Sequence, residues 1–212
     1  MTSDQRITRL TQGPPPASEQ TSPAVKAGTA GPVAADKAAL RKQLLAVRRN
    51  LPADTRAQWD ADICRHIVAW WHETQLDALG VYWPLRDEPD LHPAYAELAR
   101  LGVRLSLPVV LQRDAPLDFA AWQIGEPLVK DAMGIAVPAE LRIGPYPPAL
   151  LVPCLGFNAA GYRLGYGGGF YDRTLEKEPR PATVGIAYSC LAAEFGSDGH
   201  DIALDRIITE AG

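Results

Sequence analysis

The spacing of apolar residues along the chain begins with a helical period. Over residues 36–51 apolar side chains recur every three or four positions, which predicts a helix, and Asp36 is suited to be its N-cap. The same period over residues 53–71 predicts a second helix with Ile63 and Ile67 facing inward. Both segments are therefore predicted to be amphipathic helices that bury one face.

Beyond residue 78 the apolar residues come in short runs rich in β-branched and aromatic side chains, which is typical of buried strands. The predicted strands are residues 79–83, 103–107, 117–122, 149–153, 183–187 and 206–209. Further helices are predicted over residues 93–101, before a C-capping Gly102, and over residues 170–176. Strands that alternate with helices predict an α/β fold: a single-domain three-layer α/β sandwich with a mostly parallel, Rossmann-like sheet. Such sheets bind ligands beyond the carboxyl ends of their strands.

The first 35 residues differ from the rest of the chain. They are rich in Ala, Pro, Ser, Thr and Gly, and their few apolar residues show no period. Such a segment cannot bury enough surface to offset the entropy of ordering it. We predict a disordered extension over residues 1–35, followed by one domain over residues 36–212.

Composition narrows the function classes. Of 212 residues, 47% are hydrophobic and 22% charged, and the formal net charge of -4 argues against a nucleic-acid binder. The sequence has no apolar run of the roughly 20 residues that a membrane span needs and no secretory signal, so we predict a cytoplasmic protein without a membrane partner. Cys64, Cys154 and Cys190 lack CxxC spacing, which fits reduced thiols.

A glycine-rich stretch follows the predicted strand at 149–153. Five glycines fall between positions 161 and 169, where backbone N–H groups can form an anion-binding nest and Arg163 can contact a phosphate. The start of the next helix adds partial positive charge. Neither GxxxxGK[ST] nor GxGxxG fits the stretch. From spacing alone, a phosphate loop of unknown type and a turn that only packs on the sheet are equally good interpretations.

Several charged residues have two interpretations each. Asp172, just after the glycines, suits either a Mg²⁺ ligand or an ordinary helix start. Lys37 and Arg41 share a helix face, which suits a bound anion or a solvated surface. Glu88 follows a strand, where it can accept hydrogen bonds from the ring N–H groups of a ligand or belong to a solvated turn. Asp205 is a second Mg²⁺ ligand only if the fold brings it to Asp172.

Together these segments resemble the 5-formyltetrahydrofolate cyclo-ligase family, also called methenyltetrahydrofolate synthetase. The run at residues 161–172, Gly-Tyr-Arg-Leu-Gly-Tyr-Gly-Gly-Gly-Phe-Tyr-Asp, is similar to the family's signature. The Lys37-xxx-Arg41 pair, the acidic turn with Glu88 and the segment at residues 205–210 match as well. The resemblance covers residues 36–210.

The resemblance implies an enzyme that closes 5-formyltetrahydrofolate to 5,10-methenyltetrahydrofolate. It implies ATP as co-substrate and Mg²⁺ as cofactor, release of ADP and phosphate, and activation by phosphorylation of the formyl oxygen. The folate partner is expected with or without a polyglutamate tail, and the protein is expected to be a monomer that binds no nucleic acid.

The resemblance also carries roles onto matching positions. Catalytic roles fall on Arg163, Asp172 and Tyr171, with Tyr171 or Phe170 near the formyl group. Trp83 and Glu88 are expected to bind folate, with Trp122 as a further aromatic wall. Asp172 and Asp205 are expected to hold Mg²⁺. The residues expected to bind ATP are Lys37, Arg41, Arg163, Leu164, Gly165, Tyr166, Gly167, Gly168, Gly169 and Phe170.

Two positions depart from the family pattern. Some members have a lysine at the place of Gly168 and an arginine at the place of Tyr166. Two alternatives stay open: a different enzyme on a similar scaffold, such as a sugar-phosphate isomerase or an acyl-transfer enzyme, and a non-catalytic folate- or nucleotide-binding paralogue. An ATP requirement separates the first alternative from the cyclo-ligase reading, and binding without turnover identifies the second.

Overall fold

The structure, a computed structural model, describes residues 34–85 and 87–212, and the main feature of this part of the chain is a six-stranded sheet. The helices are α1 (Ala34–Arg49), α2 (Ala53–Thr74), α3 (His92–Arg100) and α4 (Phe170–Leu175), with a 3-10 turn at Ser189–Leu191. The first strands are β1 (Ala78–Gly80), β2 (Arg104–Val109), β3 (Asp118–Trp122), β4 (Leu128–Lys130) and β5 (Ala136–Pro138). The remaining strands are β6 (Ala149–Pro153), β7 (Gly156–Phe157), β8 (Arg163–Leu164), β9 (Ala182–Ile186) and β10 (Arg206–Ile208).

The large sheet has the strand order β10-β9-β6-β1-β2-β3. Every neighbouring pair is parallel except β2 and β3, which are antiparallel. The predicted mostly parallel α/β sheet is therefore confirmed. The chain runs outward from β1 to β2 and β3 and then returns to place β6 on the other side of β1. The carboxyl ends of β1 and β6 thus flank a topological switch point, where sheets of this kind bind ligands.

Side chains of β6 divide the core into two layers. Leu151 packs with helix α2 residues such as Ile67 on one face. Leu150 and Val152 pack with Leu175 of α4 on the other face. Because successive strand residues point to opposite sides, one strand buried on both faces separates the layers, as predicted for a three-layer sandwich.

The predicted elements differ from the observed ones mainly at their ends. Helix α1 begins at Ala34, so Asp36 lies inside its first turn and is not its N-cap. Strand β1 ends at Gly80, although Val81 N still donates to Ser106 O over 2.9 Å. The hairpins β4–β5 and β7–β8 were not predicted, because strands of three and two residues carry too little periodic pattern to be detected.

The predicted extension at residues 1–35 is largely outside the described residues, which begin at position 34. Residues 34 and 35 belong to α1. Cys64, Cys154 and Cys190 are all free thiols. Within the described part of the chain, no helix combines the length and apolarity needed to cross a bilayer.

Candidate active site

A cavity of about 520 Å³ opens at the carboxyl ends of β1 and β6. Its volume lies in the range of small-molecule sites. Its walls include α1, the turn after β1, the strand ends of β2 and β6, the β4–β5 hairpin, Arg163, the glycine loop, defined here as residues 164–169, the start of α4, and Asp201. The described residues that line the cavity include Lys37, Arg41, Trp83, Glu88, Asp131, Met133, Arg163, Leu164, Gly165, Tyr166, Gly167, Gly168, Gly169, Phe170, Tyr171, Asp172 and Asp201.

Three basic residues lie on one side of α1, and two of them contact the glycine loop. Lys37, Arg41 and Arg48 are four and seven positions apart, a spacing that puts them on one side of a helix. Arg41 Nε donates to Gly165 O over 2.8 Å, and Arg48 Nη1 donates to the Tyr166 hydroxyl over 2.8 Å. Helix α1 therefore holds the glycine loop in place at two successive residues.

Lys37 is the third member of this basic face. Its Nζ lies 2.7 Å from Asp198 Oδ2 and 2.8 Å from Asp201 Oδ2. Burial by itself lowers the pKa of Lys37, but the two carboxylates more than offset this effect and leave the pKa above its ordinary value. Burial by itself raises the pKa of Asp201, but the contacts with Lys37, the hydrogen bond from Asp198 N and the charge of Arg163 outweigh it and leave the pKa lowered. Lys37 is therefore positively charged at neutral pH.

The glycine loop adopts the backbone conformations for which glycine was expected. Gly167 has φ +94° and Gly169 has φ +64°, in the left-handed region that side chains disfavour. A Cβ atom at Gly167 would lie 3.7 Å from Arg41 Cζ, so the loop and α1 are in close contact there. Helix α4, which follows, has only six residues, so its dipole adds less positive potential than a longer helix would.

Arg163 and Asp172 form an ion pair beside the loop. Arg163 Nη2 lies 2.8 Å from Asp172 Oδ1, and the Arg163 side chain is 5% exposed. Arg163 Nη1 also donates to Ile202 O over 3.3 Å, while Ile202 N reaches Asp172 Oδ1 at 3.4 Å. Ile202 is thereby joined to Arg163 and Asp172, two of the three residues with predicted catalytic roles.

Asp205 does not take part in this arrangement, so the premise for its role as a metal ligand is not met. Its Oδ2 accepts hydrogen bonds of 2.8 Å from the N–H and the hydroxyl of Thr183, and its Oδ1 lies 3.2 Å from Arg180. These contacts lie where β9 and β10 begin, whereas the cavity lies where β1 and β6 end. Asp205 stabilises the sheet edge, and the carboxylate that reaches the cavity from this region is Asp201.

Trp83 lies on the cavity wall and packs edge-to-face against other aromatic rings. Its ring centroid is 4.5 Å from that of His92 and 5.9 Å from that of Trp122. Trp122 is buried behind Trp83 and does not line the cavity, contrary to expectation. Its role is therefore to support Trp83 by packing.

Glu88 is buried at the same end of the cavity, with 7% of the residue exposed. Leu85 N donates to its Oε2 over 2.8 Å, and the Tyr166 hydroxyl donates to its Oε1. Arg48 Nη1 lies 4.0 Å from Oε1. Burial raises the pKa of Glu88, and the hydrogen bonds from Leu85 and Tyr166 and the charge of Arg48 oppose that rise. The interpretation of this turn as solvated is therefore wrong.

Phe170 and Tyr171, the first two residues of α4, also line the cavity. Burial raises the pKa of Tyr171 well above its ordinary value, so its hydroxyl is protonated at neutral pH. The guanidinium carbon of Arg163 lies 5.8 Å from the centre of the Tyr171 ring. Tyr171 therefore offers a hydrogen-bond donor close to Arg163.

The residues that sequence reasoning missed at the cavity and its edge include Arg48, Asp131, Met133 and Asp201. Arg48 had a usable signal, because it follows Arg41 by seven positions on the same helix face. Asp201 precedes no regular element, so the pattern gave no sign of its position, whereas Asp205 drew attention because it directly precedes a strand. Asp131 and Met133 belong to the undetected β4–β5 hairpin.

Comparison with known proteins assigns the chain to a family. Residues 33–210 match the 5-formyltetrahydrofolate cyclo-ligase family. A 5-formyltetrahydrofolate cyclo-ligase of Mycolicibacterium smegmatis is 31% identical over 189 residues, covering 82% of this chain and 93% of that protein.

Two solved structures share the fold at 28% identity. A 5,10-methenyltetrahydrofolate synthetase from Mycoplasma pneumoniae has a TM-score of 0.66 over 82% of this chain and 99% of that one. An Aquifex aeolicus 5,10-methenyltetrahydrofolate synthetase determined by NMR has a TM-score of 0.73 over 83% of this chain and 90% of that one. The family match spans most of the chain and includes every described element that forms the cavity, and this chain belongs to the 5-formyltetrahydrofolate cyclo-ligase family.

Proposed function

We propose that this protein closes 5-formyltetrahydrofolate to 5,10-methenyltetrahydrofolate in a reaction that consumes ATP and requires Mg²⁺. The observation that supports this most is the composition of one cavity. Lys37, Arg41 and the glycine loop form its basic end, and the buried carboxylate of Glu88 and the ring of Trp83 form its aromatic end. A triphosphate and a pterin ring need these two environments side by side.

The basic end is proposed to bind the nucleotide. Lys37, Arg41 and Arg163 bring positive charge to the glycine loop, and anionic oxygens there can accept backbone N–H groups. Gly168 has no side chain to offer, so in this chain the positive charge near the phosphates comes from these three residues. Since Lys37 and Arg163 are paired with carboxylates, a triphosphate must share them with Asp201 and Asp172.

Mg²⁺ fits the same end by the chemistry of its donors. Asp172 and Asp201 present carboxylate oxygens to one cavity, and Ile202 N connects the Asp201 segment to Asp172. In the described part of the chain, no group of three or more Asp, Glu, His or Cys forms a complete protein cage. That suits Mg²⁺, which keeps waters and binds substrate phosphates. When bound, it would neutralise charge on the phosphates; we propose Asp172 and Asp201 as its protein ligands.

The aromatic end is proposed to bind the pterin. Trp83 is held rigidly by its edge-to-face contacts and offers an apolar wall. Glu88 offers acceptor oxygens, and a buried carboxylate forms strong hydrogen bonds to ring N–H donors. The polyglutamate tail, where present, would leave the cavity through its open side.

The proposed reaction needs the formyl group between the two ends. The formyl oxygen attacks the γ-phosphorus and the bond from phosphorus to the ADP oxygen breaks. N10 then attacks the activated formyl carbon, phosphate leaves with the former formyl oxygen, and N10 gives up its proton. Arg163 and the Tyr171 hydroxyl can stabilise negative charge on the transferring group, and the remaining task of the protein is positioning.

A direct assay tests the proposal. Purified protein is mixed with 5-formyltetrahydrofolate and Mg²⁺, with and without ATP, and the absorbance of the methenyl product is followed. We expect the band to grow only with ATP and to disappear when a chelator removes Mg²⁺. A folded protein that binds both ligands without forming the band would be a non-catalytic binder, and the proposal would be wrong.

Location and oligomeric state are part of the same proposal. We propose a monomer in the cytoplasm, a reducing compartment in which three free thiols stay reduced. Burial raises the pKa of Cys64 to about 11 and that of Cys154 to about 12, so these thiols are protonated and unreactive at neutral pH. Light scattering of the purified protein measures the oligomeric state.

A further inference from the structure

The hydroxyl of Tyr166 lies between two buried side chains of opposite charge. Arg48 Nη1 donates to it over 2.8 Å, and it donates in turn to Glu88 Oε1. The side chains of Arg48 and Glu88 are 3% and 4% exposed, whereas the Tyr166 residue is 50% exposed. The hydroxyl therefore connects this half-exposed residue to two buried charged side chains.

This hydroxyl determines how the Glu88 carboxylate is fixed. Arg48 Nη1 is 4.0 Å from Glu88 Oε1, beyond hydrogen-bond distance, so Tyr166 is the direct donor to that oxygen. Leu85 N donates to the other oxygen. A carboxylate has about four acceptor sites, so these two donors leave about one site on each oxygen. Tyr166 therefore orients Glu88 and still leaves it able to accept two parallel N–H groups.

The backbone of Tyr166 belongs to the other end of the cavity. It lies between Gly165, whose carbonyl accepts a hydrogen bond from Arg41, and Gly167, which has a left-handed φ. An anion that draws the glycine loop toward α1 acts on this backbone directly. One residue thus reaches the nucleotide end through its main chain and the folate end through its hydroxyl.

We infer that Tyr166 is a positioning residue that couples the two substrates: nucleotide held by the glycine loop stabilises the hydrogen bond from the Tyr166 hydroxyl to Glu88, and Glu88 so oriented binds the folate more tightly. This inference rests on the proposed nucleotide and folate ends of the cavity. By linkage, folate must tighten nucleotide binding by the same factor.

Calorimetry measures the coupling directly. The Kd of 5-formyltetrahydrofolate is measured with and without AMP-PNP and Mg²⁺ for the wild type, for Tyr166→Phe and for the control Tyr162→Phe, whose position does not line the cavity. We expect AMP-PNP to tighten folate binding about tenfold in the wild type and the control, within the usual range of coupling factors. The coupling ratio is the Kd of folate without AMP-PNP divided by the Kd with it. In Tyr166→Phe we expect this ratio to fall below about twofold, while the Kd of AMP-PNP alone changes by less than about threefold.

A double-mutant cycle separates positioning from a purely structural role. In a Glu88→Gln background, adding Tyr166→Phe should change the ratio no further, because the hydroxyl has lost its charged partner. An unchanged ratio in Tyr166→Phe, equal weakening of both ligands, or a wild-type ratio near one would overturn the inference. A wild type that binds no folate would contradict the proposed function as well, so the two failures are distinguishable.

Discussion

At the scale of single residues, Asp172 and Asp205 are two aspartates with different surroundings. Asp172 lines the cavity and pairs with Arg163. We expect Asp172→Asn to lower turnover at least about 100-fold, because charge stabilisation near a transferring phosphoryl group is lost. The amide oxygen can still accept from Arg163, so the free energy of unfolding should fall by only roughly 1–2 kcal/mol. Methenyl absorbance measures turnover, and urea unfolding measures stability.

Asp205→Asn is the matched control for this change. Asp205 accepts two hydrogen bonds from Thr183 and does not line the cavity. We expect turnover within about threefold of the wild type, although stability should fall, since a buried N–H loses a charged acceptor. If Asp205→Asn abolished turnover in a folded protein, Asp205 would regain the metal role that the structure does not support.

Glu88 makes stability depend on pH. Burial raises its pKa above the ordinary value of 4.5, so between these two values the folded state binds more protons than the unfolded state. Its contribution to stability is therefore complete below the ordinary pKa and is lost as pH rises through the raised pKa. Glu88→Gln cannot lose a proton, so its unfolding free energy relative to the wild type should grow with pH across that window. Urea unfolding in a series of buffers tests this, and parallel pH profiles for the two proteins would contradict it.

At the scale of elements, the sequence predicted long or strongly patterned elements best. Helix α2 and strand β6 were predicted at or close to their observed bounds, since one has a sustained helical period and the other a continuous apolar run. The β4–β5 hairpin is too short for a period, and the cavity residues that it carries were missed with it. Contacts between elements, such as Arg48 with Tyr166 and Glu88, have no signature within any one element.

The contact between α1 and the glycine loop can be tested by substituting a glycine of the loop. Gly167 has φ +94°, and a Cβ there would touch the guanidinium of Arg41. We expect Gly167→Ala to raise the KM for ATP about tenfold or more, because a residue with a Cβ resists the left-handed region at a cost of about 1–2 kcal/mol and shifts the loop.

The matched variant in the same loop is Gly165→Ala. A methyl group there would enter open space, and φ is not positive. Steady-state kinetics should show a smaller rise in KM for ATP in Gly165→Ala than in Gly167→Ala. Equal effects of the two changes would mean that the loop tolerates no side chain at all, and that the backbone conformation of Gly167 is not what matters.

At the scale of the whole molecule, the sheet determines where the site can be. The return of the chain from β3 to β6 opens the crevice beside β1, and helix α1 and the glycine loop close one side of it. The sequence predicted this location from the alternation of strands and helices. It did not predict which of Asp201 and Asp205 faces the cavity, because that depends on how residues 196–205, which form no regular element apart from turns and bends, cross the sheet edge.

Because the cavity joins distant segments of the chain, its ligands should stabilise the entire fold. A ligand present at 100 times its Kd adds about 2.7 kcal/mol to the free energy of unfolding. In a protein of this size that corresponds to a rise in Tm of roughly 5–10 °C. We expect 5-formyltetrahydrofolate and AMP-PNP with Mg²⁺ each to produce such a rise. A chelator should remove most of the AMP-PNP shift and leave the folate shift intact, because only the nucleotide end contains the carboxylates proposed to hold Mg²⁺. A folate shift that also needed Mg²⁺ would place the metal at the pterin end and contradict the assignment to Asp172 and Asp201.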